Sequence, residues 1–178
     1  MEKISTKLKI WITVALIPLC LVSCASRRNI PDYRDSSFSC NVEFFSGGIH
    51  TKAQVRVEQG ADGQSEYVVA EFTYPPTLSG IILSRYDGSL TAEYGGKKFS
   101  AEAMSELFSY AELLIPQGSL SYVCKTELDG KEVTFAEIKD TEDNGNNYEL
   151  YLDKDTSAPI KIRDDGKEIR IVSFSTLE

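Results

Sequence analysis

Few side chains in this sequence are of the kinds that carry out catalysis or bind metal ions. The 178 residues include one histidine, His50, and four cysteines. A serine–histidine–aspartate triad needs a histidine held beside its nucleophile, and a structural zinc site usually needs four histidine or cysteine ligands. His50 lies on the opposite parity from Ile49 and Thr51 in a predicted strand, so its side chain is expected to be solvated. The sequence therefore predicts a protein that is not an enzyme and that needs no metal or other cofactor.

The spacing that comes nearest to a metal site is an acidic segment at residues 140–145. Acidic or amide side chains occupy its first, third and fifth positions and Gly145 its sixth, as in the first half of a calcium-binding loop. Such a loop ends in a bidentate glutamate at its twelfth position, where this chain has Tyr151. The pattern favours a hairpin loop without a metal.

The N-terminus has the organisation of an export signal. Lys3, Lys7 and Lys9 precede an apolar run at residues 10–22, which is shorter than the roughly 20 residues needed to span a bilayer. The run ends in Leu-Val-Ser-Cys24, which resembles the lipobox of bacterial lipoproteins, where the cysteine becomes the lipidated first residue. We expect a signal peptide at residues 1–23, a lipidated Cys24 with a tether at residues 24–36, and a folded domain at residues 37–178. The expected location is the extracytoplasmic face of a cell membrane, with the lipid as the membrane anchor.

Two cysteines, Cys40 and Cys124, remain in the expected domain. Both lie on the apolar parity of predicted strands. A disulfide between them is permitted outside the cytoplasm, but buried free thiols are the preferred interpretation because strand adjacency cannot be deduced from the sequence.

The charge of the chain excludes one class of partner. The formal net charge is −8, and no basic stripe is present. Binding to nucleic acid is therefore not expected, since the phosphate backbone requires clustered basic residues.

The expected domain is predicted to be mainly β, with about ten strands and one helix inserted after the fifth strand. Apolar and polar residues alternate in short runs that are separated by turn signals, including Asp-Gly pairs, which are typical of hairpins. The predicted strands cover residues 38–44, 49–57, 66–74, 81–86, 89–94, 120–128, 132–138, 148–152, 160–163 and 168–175. We expect a curved antiparallel sheet, or half-open barrel, because a twisted sheet of this size tends to curl.

The predicted helix lies between Ser100 and Pro116. Its apolar residues follow helical spacing: Met104, Leu107, Phe108, Ala111, Leu114 and Ile115. Ser100 is a candidate N-cap, and Pro116 prevents continuation. The apolar stripe is expected to pack on the hollow face of the sheet.

Two stretches resemble a known family. The proline-led segment at residues 75–81 and the following hairpin at residues 87–94 are similar to the corresponding part of LolA/LolB-like lipoprotein carriers. Residues 150–153 and 159–174 are similar to the closing hairpins of the same fold. The resemblance implies a half-open antiparallel barrel that carries acyl chains or binds proteins, and it extends to spore-germination lipoproteins that bind and support a cell-wall amidase.

The first functional hypothesis is an apolar ligand, an acyl chain or lipid, bound between the sheet and the helix. Its candidate contacts are Phe72, Tyr74, Leu107 and Phe108. The alternative interpretation of these residues is that they simply pack the core, since an apolar stripe at helical spacing is core by default.

The second hypothesis is a cell-envelope protein as the partner. The candidate contacts lie in the loop that contains Pro75, Pro76, Leu78 and Ile81. In this alternative the chain is an accessory lipoprotein that binds and regulates a cell-wall enzyme, the helix fills the core, and no ligand cavity exists.

Overall fold

A computed structural model describes residues 32–60, 67–139 and 147–177. The predicted signal peptide, the lipidation site Cys24, most of the predicted tether and the acidic segment at residues 140–145 lie outside these residues. No helix within the described ranges is long and apolar enough to cross a membrane.

The described residues form one curved, open sheet of eleven antiparallel strands and one α-helix. The strands are β1 Phe38–Ser46, β2 Ile49–Glu58, β3 Tyr67–Tyr74, β4 Ile82–Tyr86, β5 Ser89–Tyr94, β6 Lys97–Ser100, β7 Ser119–Leu128, β8 Lys131–Lys139, β9 Asn147–Asp153, β10 Pro159–Asp164 and β11 Lys167–Thr176. The helix, α1, is Ser105–Glu112 and follows a 3₁₀ turn at Glu102–Met104. The predicted fold class is confirmed, although the sheet is open rather than a closed barrel.

The strand order explains why the sheet must curve. It runs β6-β5-β4-β3-β2-β1-β11-β10-β9-β8-β7, so that β1 and β11 pair at the centre and β6 and β7 form the two edges. Residues 101–118 must therefore connect opposite edges. Ten strand spacings of about 4.8 Å would separate the edges of a flat sheet by about 48 Å, whereas this partly helical connection reaches about 40 Å. Curvature brings the edges within its reach and lays α1 across one face.

We call the side of the sheet that packs against α1 the covered face, and the other side the open face. Alternate residues of each strand lie on the covered face and form the core, as in β1, where Phe38, Cys40, Val42 and Phe44 are buried. Their neighbours Glu43 and Phe45 lie on the open face. This period of two follows from strand geometry.

The turns match the sequence signals where the structure describes them. In the pairs Asp87-Gly88, Asp129-Gly130 and Asp165-Gly166 both residues have positive φ, as a type I′ hairpin turn requires. Gly95-Gly96 has the same conformation. This turn leads into β6, a strand that was not predicted and that raises the number of strands to eleven. Because β6 follows β5, the helix comes after the sixth strand rather than the fifth.

The helix is shorter than predicted. Ser100 belongs to β6 rather than capping the helix, and the first turn, Glu102–Met104, is a 3₁₀ turn. Leu114 and Ile115 follow the α-helix in a tight turn, and their backbone N–H groups donate to the carbonyl groups three residues earlier. The apolar stripe still packs inward at Phe108, which is fully buried.

The two remaining cysteines do not form a disulfide. Cys40 is buried on the covered face of β1, whereas Cys124 is half-buried in the edge strand β7. Four strands lie between β1 and β7. Both thiols are free, as the preferred interpretation of the sequence had it.

Candidate functional site

Around Phe72 and Phe108, the space between α1 and the sheet is filled by side chains. Phe72 of β3 is 1% exposed and Phe108 of α1 is 0% exposed. The guanidinium group of Arg85, from β4, lies 5.0 Å from the centre of the Phe108 ring, and it forms an ion pair with Glu112 of α1. Leu107 is half-buried. Of the four candidate ligand contacts, Phe72 and Phe108 thus belong to the packing between helix and sheet, and Leu107 lies at its edge.

The fourth candidate, Tyr74, does not share this position. The pairing of β2 with β3 shifts by one residue between Lys52 and Ala53, so that Thr73 is an extra residue in β3. A bulge of this kind changes the side-chain parity. Tyr74 consequently lies on the open face, 43% exposed, with its ring 5.4 Å from that of His50. The expectation that Tyr74 would line the same space as Phe72 was wrong.

The proline-led loop between β3 and β4 is held by its own backbone. The N–H groups of Leu78 and Ser79 donate to the carbonyl of Pro75, and that of Gly80 donates to the carbonyl of Phe72. Pro76 is exposed, whereas Pro75, Leu78 and Ile81 are half-buried. The loop is therefore a hydrogen-bonded turn with partly exposed apolar groups.

Two exposed tyrosines flank this loop. Tyr74 precedes it in the chain, and the Tyr94 ring lies 3.9 Å from the position that a Cβ atom would take at Gly80. Tyr94 is 59% exposed. We call residues 74–81 together with Tyr94 the loop surface.

The open face carries a cluster of charges that the sequence did not reveal. The carboxylate of Glu168 in β11 accepts hydrogen bonds from Arg163 at 3.0 Å and from Arg170 at 2.6 Å, and it pairs with the ammonium group of Lys161 at 3.0 Å. Burial alone would raise the pKa of Glu168, but the three cations outweigh burial and lower it to about 2. We call these four residues the charge cluster. Alternation places them on one face, but only the strand register brings them together.

Aromatic rings continue the open face beyond the charge cluster. Phe45 stacks on His50 with ring centres 4.5 Å apart, and the guanidinium group of Arg170 lies 4.8 Å from the Phe45 ring. On the other side of the cluster Phe135 and Tyr151 are in edge contact at 5.2 Å. His50 therefore lies on the predicted face but is half-buried among rings rather than solvated.

A short N-terminal segment closes one end of the covered face. The hydroxyl of Tyr33 donates to the carbonyl of Leu114 at 2.7 Å, and Arg34 donates to the carbonyls of Pro116 and Gly118. Burial raises the pKa of Tyr33 well above its usual value. Residues 32–36 had been included in the predicted tether, but they pack on the domain.

A cavity of about 470 Å³ lies on the covered face beside the C-terminal half of α1. Its lining residues come from α1, from the segment after it, from β3 and β4, and from β9, β10 and β11. Seven of the eleven lining side chains carry polar atoms: Arg85, Ser109, Glu112, Gln117, Tyr148, Asp164 and Lys167. Burial raises the pKa of Glu112 against the opposing effect of Arg85, and burial also raises the pKa of Asp164.

The expectation in the second hypothesis that no ligand cavity exists was therefore wrong. The lining of this cavity nevertheless differs from that of a site for an acyl chain, which needs apolar groups. Within the described residues no group of three or more histidine, cysteine, aspartate or glutamate side chains is placed to hold a metal ion.

Comparison with known proteins supports the fold. No family model matches the chain, and no curated protein matches it significantly by sequence. MucB aligns over 82% of this chain and 55% of its own, with 16% identity and a TM-score of 0.51. An uncharacterized conserved protein from Thermus thermophilus aligns over 80% of each chain, with 14% identity and a TM-score of 0.50. The chain thus spans about half the length of MucB.

A LolA superfamily protein from Nitrosomonas europaea aligns over 84% of this chain and 89% of its own, with 9% identity and a TM-score of 0.38. The structure of a complex of MucA and MucB from Pseudomonas aeruginosa also aligns with this chain, with a TM-score of 0.48. The structural neighbours have the LolA/LolB-like lipoprotein-carrier fold. At these identities the likeness concerns the fold alone, and at that level it confirms the resemblance noted in the sequence.

Proposed function

We propose that this chain is a lipid-anchored, non-catalytic binding domain on the extracytoplasmic face of a cell membrane, and that its partner is a cell-envelope protein. The observation that carries this proposal is the close packing of the interior around Phe72 and Phe108. Phe72 and Phe108 close the space in which an acyl chain would lie, and the neighbouring cavity is lined by charged groups. A lipid bound there would desolvate these charges without pairing them, which is unfavourable.

The loop surface is the proposed contact with the protein partner. Its exposed groups are tyrosine and proline, and aromatic residues are enriched at the energetically important centres of protein interfaces. The hydrogen bonds within the loop fix its conformation before binding, which reduces the entropy lost on association. MucB, which shares the fold, has been solved in complex with the protein MucA, and the finer proposal here is an accessory lipoprotein that binds and regulates a cell-wall enzyme.

Photo-crosslinking in cells tests the partner contact. The two tyrosines Tyr94 and Tyr86 are each 59% exposed, but only Tyr94 belongs to the loop surface, so Tyr86 is a matched control. A photoreactive phenylalanine analogue at position 94 is expected to crosslink one cell-envelope protein, and the same analogue at position 86 is not. Equal crosslinking from both positions would contradict the assignment of the loop surface.

A titration with a fluorescent fatty acid tests the competing hypothesis. The filled interior predicts no saturable binding of the probe. Saturable binding that Phe108→Ala abolishes would overturn the proposal in favour of an apolar ligand.

The membrane anchor is tested separately at Cys24. Cys24→Ser is expected to release the protein from the membrane fraction or to leave the precursor uncut, because the thiol that would carry the lipid is lost. Normal processing with unchanged membrane retention would contradict the anchor.

A further inference from the structure

The cavity beside α1 contains charged groups whose hydrogen-bonding capacity is not used by the described residues. Within those residues, the ammonium group of Lys167 makes neither a hydrogen bond nor an ion pair. It lies 5.7 Å from the centre of the Tyr110 ring, and its charge lowers the pKa of Asp164 without direct contact. The carboxylate of Asp164 likewise accepts no side-chain hydrogen bond from the described part of the chain. Arg85 donates through Nη1 to Glu112, but its Nε is buried and has no hydrogen-bond partner among the described residues.

These groups are positioned by two separate parts of the sheet. Asp164 and Lys167 face each other across the β10–β11 hairpin, whereas Arg85 and Glu112 come from β4 and α1. The strands β1 and β2 lie between β3 and β11 in the sheet. The cavity therefore has one cation and one anion on each side, and its four charged groups sum to zero.

The size and the remaining lining fit a small molecule. About 470 Å³ lies within the range of roughly 300–1,000 Å³ typical of small-ligand pockets. Val68, Leu113 and Ile115 add apolar contacts, and Ser109 and Gln117 add neutral polar groups. A few polar groups within a mixed lining are the usual composition of a specific site.

We propose that this cavity binds a small zwitterion, an amino acid or short peptide, whose carboxylate is held by Arg85 and Lys167 and whose ammonium group is held by Glu112 and Asp164. A purely anionic ligand would satisfy the two cations but leave the two carboxylates facing it, and a purely cationic ligand would do the reverse. A zwitterion offers a carboxylate to the two cations and an ammonium group to the two carboxylates. Charge-assisted hydrogen bonds of this kind are stronger than neutral ones.

The raised pKa values of Glu112 and Asp164 agree with this arrangement. Partial burial takes some of the surrounding water away from both carboxylates, and a ligand ammonium group would replace part of the lost solvation. This site is separate from the loop surface, so the proposal does not depend on the protein partner proposed above.

Calorimetric titration of the purified full-length protein with three related probes tests the proposal. Alanyl-alanine carries both charges, N-acetyl-alanyl-alanine lacks the ammonium group, and alanyl-alanine amide lacks the carboxylate. Saturable binding is expected for alanyl-alanine. Each blocked probe is expected to bind with an affinity at least about tenfold lower, which corresponds to the loss of a charge-assisted contact.

Two variants with matched controls locate the binding. Lys167→Met and Asp164→Asn are expected to weaken alanyl-alanine at least about tenfold. Lys131→Met and Asp129→Asn are expected to leave it unchanged, because Lys131 and Asp129 are exposed and do not line the cavity. Thermal melting confirms that each variant folds, and the comparison of the three probes on the unmodified chain does not depend on any variant.

Three results would overturn the proposal. The first is the absence of saturation by alanyl-alanine up to about 10 mM, a concentration that would reveal millimolar dissociation constants. The second is equal binding of a blocked probe, which would indicate a simple anion or cation as the ligand. The third is equal weakening by the control variants, which would place the binding elsewhere on the protein.

Discussion

The covered and open faces of the sheet are built from the same strands but are stabilised in different ways. On the covered face, Phe38, Phe44, Phe72 and Phe108 are at most 1% exposed, and the free energy comes from removing apolar surface from water. On the open face, the charge cluster and the stacked rings of Phe45 and His50 shield each other without a covering layer. The difference shows that the alternation of apolar and polar residues decides which face forms the core, but that the other face also contains specific stabilising contacts.

Phe108→Ala is expected to have the largest effect on stability. The ring is fully buried, and truncation of a packed phenylalanine typically costs about 3–5 kcal/mol of the free energy of unfolding. Urea unfolding followed by circular dichroism measures the loss. Tyr94→Ala, on the exposed loop surface, is the control and is expected to change stability by about 0.5 kcal/mol or less. A small loss for Phe108→Ala would mean that the ring roofs a cavity instead of filling the core.

Glu168→Gln tests the open face and is expected to cost about 2 kcal/mol at pH 7, because it leaves the largely buried Lys161 without its carboxylate. The folded-state pKa of Glu168 is lowered to about 2. Its contribution is therefore complete above the unfolded-state pKa, near 4.5, and is lost as the pH falls toward 2.

Urea unfolding at pH 7 and near pH 2 checks this dependence. The difference between Glu168→Gln and the unmodified protein is expected to shrink at the lower pH. Glu71→Gln, at an exposed position of β3, controls for a general loss of negative charge. A difference that stays constant with pH would mean that the charge cluster adds no stability through ionisation.

Tyr33→Phe is expected to have a smaller effect, about 1–2 kcal/mol, because it removes one buried hydrogen bond and leaves the carbonyl of Leu114 unpaired. Tyr67→Phe is the matched control, since Tyr67 is half-buried and its hydroxyl makes no hydrogen bond among the described residues. Thermal unfolding of both variants compares them. Equal melting temperatures would show that the N-terminal segment does not stabilise the covered face.

The reactivity of the two free cysteines compares the inner part of the covered face with the edge of the sheet, and this test needs no substitution. Cys40 is 3% exposed, and burial raises its pKa to about 12, whereas Cys124 is half-buried at the sheet edge. The thiolate is the reactive form, so iodoacetamide is expected to modify Cys124 in the native protein and Cys40 only after unfolding. Peptide mapping by mass spectrometry identifies the modified residue, and equal rates would contradict the burial of Cys40.

The positions of particular residues show how far the sequence predicts the candidate sites. Phe72 and Phe108 follow the periods of their elements and lie in the core as one interpretation of the sequence had it. Tyr74 follows the same period but lies on the other face, because the extra residue at Thr73 shifts the register. Another bulge lies in β7 after Leu120. It pairs Leu120 with Ile138 but Tyr122 with Glu137, so these two residues do not share one apolar face as their spacing in the sequence predicts.

The strand β6 was missed although its signal is present in the sequence. Gly95-Gly96 is a two-residue hairpin turn, and the strand that it introduces has four residues, all of them exposed. Without buried side chains there is no apolar alternation to detect. A short edge strand with Lys97 and Lys98 is typical of edges that resist pairing with other chains.

The sequence by itself determined the number and kind of most elements, since turn chemistry at Asp-Gly pairs and apolar periodicity act between residues that are neighbours in the chain. Only the tertiary structure decided that β1 pairs with β11 and that α1 crosses one face. It also decided that Tyr33 and Arg34 belong to the domain rather than to a tether. These choices depend on contacts between residues far apart in the chain, and on single-residue register shifts that carry no distinctive side chain of their own.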